Sequence, residues 1–169
     1  MLSTSNENII SITEKASNIT ISDITLQGTR SDALNVAGEN CKIVNCTVKN
    51  AADFGINVSG KNNLVENCEV AFIGKDAVVL SGGSAEGFVY GSNTVTNNSL
   101  HDYGEIQKTY IAGVNLSGIG NTVSHNEIYN APHMGVYYTG NENVVEYNYI
   151  HDVVLQSSDA GAIYTGYSY

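Results

Sequence analysis

Six consecutive stretches of the chain, 17–38, 39–60, 61–82, 92–118, 121–140 and 141–166, each open on polar residues and close on glycine. A unit of about 22 residues is too short to bury an apolar face against itself, so its copies have to stack on one another. That one fact removes most folds from consideration.

Three columns align within the copies. The first is Ile21, Ile43, Val65, Val95, Val123 and Val145; the third is Leu26, Val48, Val70, Leu100, Ile128 and Ile150. Between them run Ile24, Cys46, Cys68, Asn98, Asn126 and Asn148. A further strand follows a loop of variable length, with Leu34/Val36, Ile56/Val58, Val78/Leu80, Val114/Leu116, Val136/Tyr138 and Ala162/Tyr164. The i, i+2 spacing is the strand period with one face buried. Asparagine held between two apolar columns reads as an inward ladder that bonds the backbone of the next layer, rather than as surface turns.

The predicted fold is therefore all-β, a right-handed parallel β-helix of about six to seven coils, with an asparagine ladder in the later ones. Ile9–Ile12 reads as the strand end of a partial earlier coil. Extra length at 83–91 and 103–111 predicts loops that leave the coil without disturbing it. The whole of 1–169 reads as a single domain. The chain stops at Tyr169 just past a strand, so the expectation is a piece of a longer protein, with open coil ends available for self-association.

Composition agrees. Charged residues are 14% of the chain and there is one proline, while Gly, Asn, Ser and Thr supply the tight turns. The net charge of -10 with one arginine, Arg30, excludes nucleic acid and acidic membrane surfaces as partners and weighs against a strongly anionic polysaccharide. No apolar run is long enough to span a membrane. The start shows no charged-then-apolar signal segment, and Met1-Leu2-Ser3 reads as a mature or recombinant start, so this says little about export. Cys41, Cys46 and Cys68 lack metal-ligand spacing and read first as small buried side chains, with a disulfide or a reactive thiol as alternatives. No cofactor or metal is implied.

Superposing the copies on their later strand places Ser31, Asp53, Lys75, Ile111, His133 and Asp159 in one column. His133 and Asp159 then sit in adjacent coils as an imidazole beside a carboxylate, an acid–base pair or a structural hydrogen bond. Tyr110 and Tyr137 lie in the same frame and are candidates to stack on sugar rings, whereas Tyr138 and Tyr164 fall on inward positions. His101-Asp102 and His151-Asp152 recur at one repeat position, with the aspartates as turn caps; His151 shares a coil with Asp159 and remains a binding candidate. Glu146 points outward from the first strand and is a further candidate.

From Leu80 onward the chain resembles bacterial β-helix proteins of glycoside hydrolase family 141 and its unclassified relatives. The resemblance rests on L-S-G-G (80–83), N-N-S-L-H-D-Y-G (97–104), T-Y-I-A-G-V-N-L-S-G-I-G-N (109–121), V-S-H-N-E-I-Y-N-A-P-H-M-G (123–135) and I-H-D-V-V-L-Q-S-S-D-A-G-A-I-Y-T-G (150–166). It implies a secreted or cell-surface bacterial hydrolase acting on xylan or a fucosylated glycan. It makes Asp159, in D-A-G-A-I-Y, the leading catalytic carboxylate and sets His133, in A-P-H, beside it. A glycosidase usually places a second carboxyl roughly 5 to 9.5 Å from the first, and that partner is expected from coils beyond this chain. Two alternatives stand beside this expectation. A polyuronate lyase or epimerase would show clustered basic residues and often calcium, and a non-catalytic glycan-binding coil stack would lack the second acid.

Overall fold

The computed structural model describes residues 6–166; the expectations drawn from Met1-Leu2-Ser3 and from Tyr169 lie outside them. Apart from one hairpin, every described strand is three or five residues long and belongs to one of three parallel sheets. The first sheet stacks Thr20–Ser22, Lys42–Val44, Leu64–Glu66, Thr94–Thr96, Thr122–Ser124 and Val144–Glu146. The second stacks Thr25–Thr29, Thr47–Ala51, Glu69–Ile73, Ser99–Tyr103, Glu127–Tyr129 and Tyr149–His151. The third stacks Ile10–Ile12, Leu34–Val36, Ile56–Val58, Val78–Leu80, Ala112–Leu116, Met134–Tyr138 and Ile163–Thr165. Wound in that order, the strands form a right-handed parallel β-helix.

The apolar columns keep register. Ile21, Ile43, Val65, Val95, Val123 and Val145 pair rung by rung, as do Leu26, Val48, Val70, Leu100, Ile128 and Ile150. Most of these side chains are fully buried in one continuous core. In-register apolar neighbours about 4.8 Å apart exclude water along the whole axis.

The asparagine ladder is present. Cys68 N–H donates to Asn98 Oδ1 at 2.8 Å, Asn98 N–H to Asn126 Oδ1 at 3.0 Å and Asn126 N–H to Asn148 Oδ1 at 3.0 Å. Each Nδ2 reaches back to a carbonyl of the preceding coil, at Val65, Val95 and Val123. A second ladder, which the column reading did not find, opens the first sheet: Cys41, Asn63, Asn93, Asn121 and Asn143 are linked the same way. The three thiols thus occupy ladder positions in the early coils; all are free and buried, and Cys46 and Cys68 point Sγ at backbone carbonyls. Asn45, Asn67 and Asn97, one residue before the first ladder, take the left-handed corner at φ 53 to 55°, a conformation asparagine tolerates best among residues with a side chain.

At the repeat-closing glycines the coils touch backbone to backbone. A Cβ added at Gly60 would run into the Gly38 carbonyl, and one at Gly118 into Gly82. The insertion at 83–91 is an antiparallel hairpin, Gly83–Ser84 with Val89–Tyr90. The loop after Tyr103 folds back, with the backbone N–H groups of Gly104, Glu105 and Ile106 on Lys75, Ile73 and Gly74 carbonyls.

One register expectation fails. In the last strand Ile163 pairs with Val136 and Thr165 with Tyr138, so Tyr164 pairs with Tyr137 on the outer face and is not core. Alternating A-I-Y-T satisfies period 2 in either register, and the loop of unequal length before it removes the count that would decide. Tyr138 holds the expected inward position opposite Leu116, yet it stays 37% exposed, because Thr165 offers it a short polar neighbour.

Candidate functional site

The outer face of the third sheet carries a cavity of about 350 Å³ lined by Tyr110, Asn115, His133, Met134, Tyr137, Asp159, Tyr164 and Gly166. Strand pairing builds its floor: Asn115, Tyr137 and Tyr164 are successive rungs of one outward column. His133 immediately precedes the Met134–Tyr138 strand, and Asp159 comes from the loop leading into Ile163–Thr165.

His133 is 3% exposed, and its Nδ1 has no hydrogen-bond partner. Burial pushes its pKa below the ordinary histidine value, while the Ile111 carbonyl and the Asp159 charge pull the other way. His133 therefore keeps a buried ring nitrogen without a hydrogen-bond partner, a costly arrangement for a polar atom. Tyr110 lies with its ring centroid 5.9 Å from that of His133. It is 80% exposed and holds φ at 55°, which is strained for a bulky aromatic residue. Tyr164 donates its hydroxyl to Asp159 Oδ1 at 3.5 Å, and the Tyr137 hydroxyl comes to rest where Gly166 leaves room.

Next to this cavity on the same face stands a row of charges, of which the sequence columns had picked out Asp53 and Lys75 but not Asp32 or Asp76. Asp76, 4% exposed, accepts the Ala112 N–H, and burial pushes its pKa up to about 6 against that hydrogen bond and another from Asn115. Asp32 occupies the equivalent position two coils earlier, accepts the Phe54 N–H at 3.2 Å, and is likewise raised, chiefly by burial. Lys75 Nζ lies 2.7 Å from Asp53 Oδ1 and 5.2 Å above the Phe54 ring, so its charge is matched. The signal was in the sequence: Asp32-Ala33 and Asp76-Ala77 hold one repeat position. Asn115, bonded to Asp76 and lining the cavity, connects row and cavity.

The structure brings Asp159, His133, Tyr110 and Tyr137 together, although Asp159 falls one place off the His133 column because of the register change. His151 stands on the second sheet and Glu146 on the first; neither lines the cavity. A larger, more open depression of about 1310 Å³ along Gln27, Arg30, Asn50, Phe72, Glu105 and Ile106 is lined by no imidazole among the described residues. Among the described residues no His/Cys/Asp/Glu group could hold a metal ion, and no helix is long and apolar enough to cross a membrane.

A family model described as a right-handed β-helix region matches residues 2–118. The chain belongs to that β-helix family. No curated protein sequence matches it. Among solved structures, this β-helix is similar to the A-module of the Azotobacter vinelandii mannuronan C-5 epimerase, with TM-score 0.72 and 12% identity over 94% of this chain and 47% of that one. It is also similar to the enzymatically active domain of tailspike protein 2 of bacteriophage CBA120, with TM-score 0.61 and 12% identity over 76% of this chain and 23% of that one. A third is XylC in complex with xylose, with TM-score 0.59 and 13% identity over 77% of this chain and 29% of that one. The chain spans about half the length of the epimerase module and less of the others. At these identities the likeness is one of fold.

Proposed function

We propose that this β-helix acts on a polysaccharide outside the bacterial cell, cleaving a neutral or weakly charged glycan of the xylan or fucosylated class, with Asp159 as the reaction's carboxylate. The observation that carries the reading is the meeting of His133 and Asp159 in one cavity walled by Tyr110, Tyr137 and Tyr164. Tyrosine rings offer apolar faces to a sugar and hydroxyls to its polar edge. No lysine or arginine lines the cavity, so a uronate carboxylate would meet Asp159 uncompensated.

Hydrolysis needs a group that protonates the departing oxygen and one that activates water, around a positively charged transition state. Among the described residues, Asp159 is the single carboxylate lining the cavity. Asp76 lies about three rungs of 4.8 Å below it along the axis, too far to form a carboxylate pair. In the proposed division of labour the Asp159 carboxylate stabilises the developing positive charge at the anomeric carbon. The His133 imidazole takes the proton of the attacking water. A Tyr137 or Tyr164 hydroxyl donates to the departing oxygen and is reprotonated from His133. The family 141 resemblance of D-A-G-A-I-Y supports Asp159, and the likeness to other glycan-related β-helices supports the substrate class.

Release of reducing ends across a panel of neutral glycans, comparing the wild type with Asp159→Asn, tests the proposal. Loss of activity of about a hundredfold or more in the variant is expected, and unchanged activity removes Asp159 from the reaction. The His–Tyr character of the cavity favours one other reading, a lyase or epimerase on polyuronate. That reading predicts a new ultraviolet absorbance from an unsaturated end, or inverted uronate stereochemistry, with no reducing-end release from neutral glycans.

A further inference from the structure

On the second sheet, a different face from the cavity, the outward column runs Lys49, Ala71, His101, Tyr129, His151. The last three rings are stacked. His101 and Tyr129 lie 4.7 Å apart at 16° between planes, and Tyr129 and His151 5.0 Å apart at 5°. Phe72 closes one end edge-on at 6.2 Å, and Tyr149 packs on His151 at 4.5 Å. With their faces turned on each other along the axis, these rings show only their edges to solvent, which suits them poorly for stacking on a sugar.

Each imidazole is also held between two carboxylates. His101 Nδ1 is 2.6 Å from Asp102 Oδ2, and its Nε2 is 3.6 Å from Glu69 Oε1. His151 Nδ1 is 2.9 Å from Asp152 Oδ2, and its Nε2 is 3.4 Å from Glu127 Oε1. Asn130 Nδ2 donates to the remaining oxygen of Asp102. The other facing groups are Tyr129 and Tyr149, together with Phe72, which has no charge; Lys49 is two rungs from His101, beyond Ala71. A neutral imidazole has one N–H and can satisfy one carboxylate, leaving the other nitrogen's lone pair facing an anion. Only the doubly protonated ring donates to both. The same clamp is built twice, from a Glu one coil earlier and an Asp next in sequence.

We propose that His101, Tyr129 and His151 form a proton-operated brace that ties four successive coils together when both imidazoles are charged and slackens when they lose their protons. In the charged form each His also places a cation against the Tyr129 face, adding a cation–π attraction that the neutral form lacks. The direction follows for His151, whose pKa is raised by its Asp152 and Glu127 hydrogen bonds against slight desolvation. A raised folded-state value gives stability that is complete below the unfolded pKa of about 6.5 and is lost as pH rises through the folded one.

Thermal unfolding of the wild type and of a His101→Gln, His151→Gln double variant, between about pH 5 and about pH 8, reads this out. Buried Asp76 and His133 titrate in both proteins and cancel in the comparison. The brace predicts that the wild type gains about 2–4 °C over the double variant at the acid end and that the gain disappears at the alkaline end. Parallel melting curves at every pH overturn it. A second measurement avoids any folding defect: Glu69→Gln with Glu127→Gln, both at half-exposed positions, followed by proton NMR titration of the four imidazoles. The midpoint of His151 is expected to fall while that of His133 stays; an unchanged His151 midpoint refutes the clamp.

Discussion

Single polar residues decide much of this molecule's stability. Asn126 is 1% exposed and serves two neighbours at once, accepting from the Asn98 N–H and donating to the Val95 carbonyl. Asn126→Ala leaves both groups buried and unpaired, so a loss of about 3 kcal/mol is expected by denaturant unfolding. Asn130→Ala, at an exposed corner, should cost under about 1 kcal/mol. Asp76 works in the opposite sense. Its folded pKa of about 6 lies above the unfolded value, so its contribution favours the fold in acid and is lost as pH climbs through about 6. Asp76→Asn should therefore raise stability above pH 6, by up to about 3 kcal/mol, with little change below about pH 4; unfolding midpoints at the two pH values check it. His133 bears on activity rather than stability alone. Burial lowers its pKa, so glycan cleavage should persist below the ordinary histidine value of about 6.5 before protonation stops it. An acid limb at or above that value would remove His133 as the base.

At the scale of strands and corners, close stacking sets what the sequence can vary. Gly118 sits at φ 82° with its α-carbon against the backbone of Gly82, so Gly118→Ala combines backbone strain with a clash that no side-chain movement relieves. A loss of at least about 2 kcal/mol is expected, against about 1 kcal/mol for Gly87→Ala, which carries the backbone strain at φ 80° without the clash. Strand columns were legible because in-register stacking repeats the same residue type at the same interval; Val65, Val95 and Val123 announce themselves. The Asn98–Asn126–Asn148 ladder was legible for that reason too. Its twin through Asn63, Asn93, Asn121 and Asn143 was not, since its members sit in turn-like contexts such as Lys61-Asn62-Asn63, Gly91-Ser92-Asn93 and Gly120-Asn121, where burial is invisible in one dimension. The last strand slipped by one place because Ala162, Ile163, Tyr164 and Thr165 alternate acceptably in both registers. Asp76 escaped notice because a carboxylate next to Lys75 reads as a solvated pair, whereas the fold turns Lys75 outward onto Asp53 and Asp76 inward onto Ala112.

For the whole molecule, three sheets separate three tasks. Inward faces hold the core and both ladders, the second sheet carries the stacked imidazoles, and the third sheet carries the cavity with its adjoining row of carboxyls. Which corner each outward residue turns to depends on where the coil bends, and that is why His133 and Asp159 proved neighbours while His151, in the same coil as Asp159, lies on another face. The central claim is that the Tyr110–Tyr137–Tyr164 cavity seats a sugar unit of a neutral glycan between His133 and Asp159. A crystal structure of the Asp159→Asn protein soaked with an oligosaccharide that the wild type cleaves tests it most directly. A sugar ring is expected in the cavity beside His133, with the scissile oxygen next to residue 159. An oligosaccharide bound on another face, with the cavity empty, would contradict it.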